Sequence, residues 1–146
     1  MRLEDVMSRQ VQTIGAQESL ERARALMRLR RIHHLVVVEG RSVIGVVTDD
    51  VLQRGEAEGI GRVEDVMFRN VVTGTPDLTV REAANLMRGR AIGAVPILDK
   101  RRLVGIVTVS DLLDLLGKGA ERPVARSQRW TLRDRGTKPR RAQPSR

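Results

Sequence analysis

Along the first part of the chain, the spacing of apolar positions is first typical of a helix and then typical of strands. Within residues 20–27 the apolar side chains are spaced by three and four, which predicts a helix. A continuous apolar run follows at residues 35–38, which is typical of a strand covered on both faces, and a third strand is predicted at residues 43–48. With an extended piece at residues 11–14 and an acidic helix start near Asp50, the predicted order is strand, helix, strand, strand, helix.

The same series returns sixty residues later. At that offset, 18 of the 49 positions from Glu4 to Leu52 are identical without a gap. A unit of this size is too small to bury its apolar faces alone, so we expect the two copies to pack against each other. The second copy has predicted strands at residues 71–73, 95–98 and 103–108, and predicted helices at residues 80–87 and from Ser110 onward.

Residues that start and stop helices support these boundaries. Thr79, followed three residues later by Glu82, is a capping-box pattern, and Ser19 is the matching N-cap in the first copy. The last helix is predicted to end at Gly117, because glycine favours the position after a helix C-terminus. The periodic pattern ceases from about residue 118, where we place the end of the folded part.

The positive charge of the chain lies beyond that boundary. Residues 118–146 carry ten Lys or Arg and two acids, a net charge of +8, whereas residues 1–117 carry seventeen and sixteen, a net charge of +1. Three prolines and scattered arginines give no sustained period there, so we expect a basic, flexible tail. Its one aromatic residue, Trp130, could stack on nucleic-acid bases or dock on the folded part.

Several function classes find no support in the sequence. The absence of Cys removes disulfides, thiolate zinc sites and Cys nucleophiles. No apolar run reaches the roughly 18 residues of a membrane span, and the start turns acidic, so we expect a cytoplasmic protein without a secretory signal. No hydrolase, metalloprotease or phosphate-loop motif is present, so we expect no enzyme activity. His33 and His34 are adjacent and point to opposite faces of a strand, so we expect no metal site.

The duplicated order, ending each time in Gly, two apolar residues, Thr and an acidic helix start, resembles the CBS-domain pair, also called a Bateman module. The second copy carries the fuller pattern, in residues 73–77, 94–99 and 105–112. The resemblance implies a stand-alone α/β (α+β) protein of two βαββα units with pseudo-twofold symmetry, and two chains would form a flat homodimer. The expected divisions are residues 1–57, 58–117 and the tail at 118–146.

The resemblance also implies a regulatory ligand, namely AMP, ADP, ATP or S-adenosylmethionine, held in the cleft between the copies, and no catalytic cofactor. The motif's Thr would face phosphate and its Asp would accept from the ribose hydroxyls, which are roles for Thr108 and Asp111. Ser110 would cap the helix whose N-terminus faces the phosphate. The base pocket would be lined by Val71, Val72 and Thr73 on one side and by Ala94 and Pro96 on the other.

The first copy departs from this pattern. Val51 stands where the second copy has Asp111, so we expect one good site in the second copy and a weak or absent one in the first. If the first site works, Asp50 takes the ribose role. The weaker candidate site comprises Thr48, Asp50, Val11, Thr13 and His34.

Five arginines follow the two equivalent helices, and two interpretations of them stay open. They form solvated helix ends favoured by the helix dipole, or some reach the phosphates of a nucleotide held by the other copy. These residues are Arg28, Arg30, Arg31, Arg88 and Arg90.

The sequence as a whole favours a regulatory module that binds an adenosine-type ligand. The alternative from another class is a nucleic-acid-associated protein whose body dimerises and whose tail binds DNA or RNA. A third hypothesis is a dimerisation module with vestigial pockets. A higher melting temperature with adenine nucleotides would support the first hypothesis, and salt-sensitive nucleic-acid binding that is lost with the tail would support the second.

Overall fold

The computed structural model describes residues 1–117, and the predicted tail with Trp130 lies outside the described residues. Each repeat opens with a 3₁₀ turn, at Leu3–Asp5 and at Val63–Asp65. The first repeat continues with β1 (Thr13–Gly15), α1 (Leu20–Arg30), β2 (His34–Glu39), β3 (Ser42–Thr48) and α2 (Asp49–Ala57). The second continues with α3 (Val80–Arg90), β4 (Ala94–Asp99), β5 (Arg102–Thr108) and α4 (Val109–Gly117). None of these four helices has the length and apolarity needed to cross a lipid bilayer.

The N-caps predicted at Ser19 and Thr79 are confirmed, but the Glu82 carboxylate accepts from the Thr79 hydroxyl rather than from the Thr79 backbone N–H, so the reciprocal half of the capping box does not form. The Ser19 hydroxyl accepts from the backbone N–H of Arg22 at 3.1 Å, and the Thr79 hydroxyl accepts from that of Glu82 at the same distance. These bonds satisfy one of the backbone donors that a helix start leaves free. Both helices end at a residue with positive φ, 56° at Arg31 and 53° at Ala91. The equivalent helices therefore begin and end alike.

The two repeats differ in one strand, which the sequence predicted for both but which forms only in the first. β1 runs parallel to β2, which pairs antiparallel with β3, whereas β4 and β5 form a two-stranded sheet. The predicted strand at residues 71–73 is wrong, because only Gly74 forms a bridge, to Ile97. In the first repeat the backbone N–H of Val36 donates to Gln12. Its equivalent, Pro96, has no N–H to donate, so the second repeat cannot form this bond.

The two hydrophobic cores exchange the segments that open the repeats. Leu3 and Met7, from the start of the first repeat, are buried among the α3, β4 and β5 side chains of the second. Val63 and Met67 are buried in the same way in the core of the first repeat. Backbone bonds fix the exchange, since Leu3 donates to the carbonyl of Leu78 at 2.8 Å. Each core is thus completed by chain from the other repeat.

Two glycines make this exchange possible. A side-chain carbon at Gly45 would lie 2.5 Å from the sulfur of Met67, and one at Gly105 would lie 2.4 Å from the sulfur of Met7. Because real carbon atoms do not approach so closely, each methionine needs a glycine beneath it. The two Gly–Met contacts are sixty residues apart in the sequence and obey the same pseudo-twofold symmetry.

Candidate functional site

Two cavities, each of about 310 Å³, lie at the junction of the repeats. The first cavity is lined by His34, Val46, Thr48, Asp50, Phe68, Asn70, Val71, Val72, Ala91, Ile92, Gly93 and Ala94. The second cavity is lined by Ser8, Gln10, Val11, Gln12, Arg31, Ile32, His33, His34, Ile106, Thr108, Ser110 and Asp111. Each cavity draws on both repeats, as the exchange of opening segments leads one to expect.

The two cavities are copies of one another. Eleven of the twelve residues lining the second cavity have their repeat equivalent, sixty positions away, in the lining of the first. Asp111 is the exception, because its equivalent Val51 does not line the first cavity. Independent surface depressions would not show this correspondence. The duplication has therefore produced two related pockets.

The structure divides the residues that the sequence grouped into one good site. Thr108, Ser110 and Asp111 line the second cavity, together with Val11. The predicted base-pocket residues line the first cavity instead, with Thr48 and Asp50; they are Val71, Val72 and Ala94. The grouping by repeat is thus corrected. For Val71 and Val72 the physical reason is that the segment after the opening motif lies against the other repeat, whereas Ala94 reaches the first cavity from the start of β4.

Three predicted residues line neither cavity. Thr13 and Thr73 are exposed, and Pro96 is buried in β4, where its carbonyl accepts from the backbone N–H of Gly74 at 2.9 Å. Pro96 is buried and lines neither cavity, so it does not form the wall that we expected. The structure adds lining residues that the sequence did not single out, among them Gln10, Gln12, Val46, Phe68, Asn70 and Ile106.

At the second cavity, β5 passes directly into α4. The Thr108 hydroxyl accepts from the backbone N–H of Asp111 at 3.3 Å, and Asp111 Oδ2 accepts from the backbone N–H of Thr108 at 2.8 Å. The same oxygen also accepts from the Thr108 hydroxyl at 3.1 Å. This reciprocal cap makes Thr108 the N-cap and places Ser110 in the first turn, so the expected cap at Ser110 is wrong. Within residues 1–117, Asp111 Oδ1 accepts no hydrogen bond, and Asp111 lines the cavity.

At the first cavity, the shift of the acid by one residue changes the hydrogen bonding. The Thr48 hydroxyl donates to Asp50 Oδ1 at 2.6 Å, and this bond lowers the pKa of the Asp50 carboxyl. Backbone N–H groups and Arg54 lower the pKa of Asp50 further, and Arg54 lies 3.8 Å away. Asp50 occupies the second helical position rather than the third, so Thr48 forms no side-chain cap.

His34 lies between the two cavities and lines both. Burial, and then the charge of His33, lower the pKa of the His34 imidazole, while Asp50 and Asp111 oppose that shift. A side-chain carbon at Gly93 would lie 3.1 Å from Nε2 of His34, so the missing side chain of Gly93 leaves room for this ring. Among residues 1–117, no three His, Asp or Glu side chains cluster as metal ligands would.

One of the five clustered arginines takes part in a cavity. Arg31 lines the second cavity, whereas Arg28, Arg30, Arg88 and Arg90 line neither. Arg31 is the residue with positive φ at the end of α1, and its equivalent at the first cavity is Ala91. Within the described part of the chain, the Arg31 side chain forms no ion pair or hydrogen bond.

Comparison with known proteins places the chain among CBS domain proteins. The family model for the CBS domain matches residues 3–54 and again residues 63–118. The CBS domain-containing protein YhcV of Bacillus subtilis is 33% identical over 114 residues, which cover 75% of this chain and 81% of YhcV. A homoserine O-acetyltransferase of Methanohalophilus mahii is 35% identical over 120 residues, or 80% of this chain, but the chain spans only 25% of that enzyme.

Solved structures agree with the family match. A CBS domain pair in complex with 5′-methylthioadenosine and S-adenosyl-L-methionine superimposes with a TM-score of 0.75 and 30% identity, and covers 80% of this chain and 96% of its own. A signal-transduction protein with CBS domains from Burkholderia ambifaria shares the fold, with a TM-score of 0.77, 23% identity and coverage of 86% and 100%. The two cavities with their Thr–acid pairs thus lie in a tandem pair of CBS domains, and the chain belongs to the CBS domain family.

Proposed function

We propose that the chain is a regulatory module that binds an adenosine-type ligand in the cavities between its two CBS domains. The observation that carries the proposal is the pair of equivalent cavities, each with a Thr hydroxyl and a carboxylate at a strand-to-helix junction. The CBS pair that is 30% identical was solved with 5′-methylthioadenosine and S-adenosyl-L-methionine. Both of those ligands contain adenosine, which supports this class of ligand for the present chain.

In the second cavity, the proposed ribose acceptor is Asp111. Its Oδ2 is engaged with Thr108, and its Oδ1 can accept from the vicinal hydroxyls of a ribose. The start of α4 supplies free backbone N–H groups near the 5′ position of the ligand. Val11 and Ile106 offer apolar surface for an adenine ring.

In the first cavity, the proposed ribose acceptor is Asp50, and the surface for the base is more apolar than in the second cavity. Asp50 carries the carboxylate, and Val71, Val72 and Ala94 provide the surface for the base. Asp50 is exposed, already accepts from Thr48 and forms an ion pair with Arg54, so water and these partners compete with a ribose. We therefore propose that Asp50 contributes less to binding than Asp111 does.

The role that we propose is binding without catalysis. The described cavities contain hydroxyl, amide, carboxylate and imidazole groups, but no nucleophile paired with a general base. The chain spans about a quarter of the homoserine O-acetyltransferase that it matches, so the chemistry of that enzyme is not carried over to it.

The test is ligand binding by the full chain and its variants. Calorimetry with AMP, ATP, 5′-methylthioadenosine and S-adenosylmethionine should show binding, and thermal denaturation should show stabilisation. Asp111→Ala should weaken binding by about 2 kcal/mol, because charge-assisted bonds to the ribose are lost. Asp50→Ala should weaken it less. No binding of any of the four ligands would refute the proposal.

A matched control separates the loss of the ligand contact from the mere loss of a negative charge on α4. Asp114→Ala removes the same charge from α4 at an exposed position that lines neither cavity, so affinity should stay unchanged. Asp111→Ala also removes the reciprocal cap, which costs about 1 kcal/mol of stability. Urea unfolding of each variant therefore accompanies the binding measurement. Equal affinity losses for Asp111→Ala and Asp50→Ala would show that the proposed ranking of the sites is wrong.

We also propose that the chain forms a homodimer through α4. Val109 and Leu113, one helical turn apart, are 41% and 61% exposed, and Leu116 is also 61% exposed. A second copy of the chain could cover this apolar stripe. Light scattering should give the mass of a dimer, and Leu113→Glu should shift it towards the monomer. A monomeric wild type at high micromolar concentration would refute the dimer.

A further inference from the structure

The two cavities are lined by equivalent positions of the two repeats, but the side chains at several of these positions differ in chemistry. At five equivalent positions the second cavity carries a polar side chain where the first carries an apolar residue. Because the backbones correspond, these differences reflect the side chains alone. The pairs are Ser8 and Phe68, Gln12 and Val72, Arg31 and Ala91, His33 and Gly93, and His34 and Ala94.

The two cavities also differ in the ionisable side chains that line them. The lining of the second cavity includes the guanidinium of Arg31 and the imidazoles of His33 and His34, besides the carboxylate of Asp111. The described lining of the first cavity includes Asp50, shares His34 with the second cavity, and has no Lys or Arg. Both cavities carry a carboxylate, so the difference in charge is the guanidinium of Arg31, which an anionic group would meet in the second cavity alone.

The Arg31–Ala91 pair is the clearest of these differences. Both residues end the equivalent helices with nearly the same positive φ, 56° and 53°. Neither residue is a glycine, although this conformation favours glycine. In the second repeat the position carries only a methyl group, so a large side chain is not needed to end the helix. Arg31 forms no ion pair within residues 1–117, so its charge is available to a ligand.

We propose, on the basis of the proposed function, that the two cavities take different classes of adenosine ligand. The second cavity binds an adenosine with a 5′-phosphate, whose charge Arg31 neutralises next to the N-terminus of α4. The first cavity binds an adenosine whose 5′ group is uncharged or cationic, because its lining is more apolar and includes no Lys or Arg. The chain thereby responds separately to two kinds of adenosine compound.

The first experiment compares AMP and 5′-methylthioadenosine on the full chain. The sequence contains a single Phe, Phe68, which lines the first cavity, so 4-fluorophenylalanine labelling gives one fluorine resonance that reports on that cavity. Saturating 5′-methylthioadenosine should shift this resonance, and AMP at one equivalent should not. An equal shift with both ligands would overturn the assignment of ligand classes to the two cavities.

The second experiment changes the charge of the second cavity. Arg31→Ala installs the residue found at the equivalent position 91, where alanine already adopts the required φ. AMP affinity should fall at least about tenfold, while 5′-methylthioadenosine affinity should change by less than about twofold. Arg30→Ala is the matched control, since Arg30 is adjacent and lines neither cavity, and it should leave both affinities unchanged.

The outcomes separate this inference from the proposed function. If neither AMP nor 5′-methylthioadenosine binds the wild type, the proposed function itself fails. If both bind, but Arg31→Ala and Arg30→Ala weaken AMP equally, the role of Arg31 is overturned while adenosine binding stands. The reciprocal variant Ala91→Arg adds a gain of function, because AMP should then shift the Phe68 resonance.

Discussion

A shift of one residue between the repeats decides how each carboxylate is used. Asp111 lies three residues after Thr108, which is the spacing of a reciprocal cap, and both hydrogen bonds of that cap form. Asp50 lies two residues after Thr48, too close for this geometry, so the threonine hydroxyl donates to the carboxylate instead. The alignment of Val51 with Asp111 indicated this difference, and the structure gives its physical consequence.

His34 should make the stability of the protein depend on pH near neutrality. Its pKa is lowered below 6.5 by burial and by His33, so the unfolded chain binds a proton more readily than the folded one. The stabilisation is therefore complete above pH 6.5 and declines as the pH falls towards the pKa of the folded state. His34→Ala, which installs the residue of the equivalent position 94, should flatten this dependence.

Thermal denaturation of wild type and His34→Ala between about pH 5 and pH 7.5 measures the effect. The difference in melting temperature between the two proteins should change across this range. The lowered pKa of the Asp77 carboxyl acts at more acidic pH, since its contribution to stability is complete above pH 3.8 and is lost only below it. If the melting temperatures of the two proteins changed in parallel with pH, the prediction for His34 would be contradicted.

Helices and strands that are determined by their own residues were predictable from the sequence. An element that depends on residues distant in the sequence was not. The apolar spacing and the N-caps at Ser19 and Thr79 located α1 and α3, and the apolar runs located four strands. The missing strand at residues 71–73 depends on Pro96, more than twenty residues away. A strand needs its partner's backbone donors, and no periodicity in its own sequence reveals whether they exist.

Substitution of Gly45 should destabilise the protein through the contact between β3 and the opening segment of the second repeat. In Gly45→Ala the new carbon would lie 2.5 Å from the sulfur of Met67 and 3.1 Å from the carbonyl oxygen of Phe68. Met67 is buried and cannot move freely, so we expect a loss of about 1–3 kcal/mol in urea unfolding.

Gly89→Ala is the control for this substitution, with the opposite expected sign. Gly89 lies on the exposed side of α3, and no atom would contact an added carbon. Alanine favours the helix over glycine by about 0.5–1 kcal/mol, so this variant should be more stable than the wild type. A neutral or stabilising Gly45→Ala would show that the opening segment can withdraw from β3 at little cost.

At the scale of the whole molecule, the repeats in the sequence are not the packing units in the structure. The identity at an offset of sixty residues predicted two similar units that pack on each other. It did not predict that Leu3 and Met7 would complete the core of the second repeat. Either arrangement is compatible with the same apolar pattern, because that pattern shows which side chains are buried but not in which core. The composition of both cavities follows from this exchange.

The exchange should make residues 1–117 unfold as one unit. Leu3 is fully buried in the core of the second repeat, so Leu3→Ala should cost about 2–5 kcal/mol. The loss should appear in one cooperative transition rather than in one repeat alone, since each core needs the other repeat. Urea unfolding, followed by circular dichroism and by the fluorine resonance of Phe68 in the first cavity, measures the loss of stability and the cooperativity of the transition. Separate midpoints for the two probes would contradict the coupling.

The segment at residues 118–146 should be dispensable for the fold and for ligand binding. Eleven of the twelve residues lining the second cavity have an equivalent in the first, all of them before Gly117, and the segment after it has no counterpart in the first repeat. The family match likewise ends at residue 118. The segment contains few apolar residues to offset the entropy of ordering it. A chain that ends at Gly117 should therefore keep its circular dichroism spectrum and its affinity for AMP and 5′-methylthioadenosine.

The same truncation separates the ligand-binding hypothesis from nucleic-acid binding. A net charge of +8 attracts any polyanion at low salt, so the comparison of full-length and truncated chains belongs near physiological ionic strength. Binding of DNA or RNA that persists there in the full-length chain and vanishes on truncation would favour the nucleic-acid hypothesis. If truncation instead abolishes adenosine-ligand binding while the fold persists, the segment belongs to the site. Trp130→Ala would then be the first variant to measure, because its ring could cover an adenine as no residue of the body other than Phe68 can.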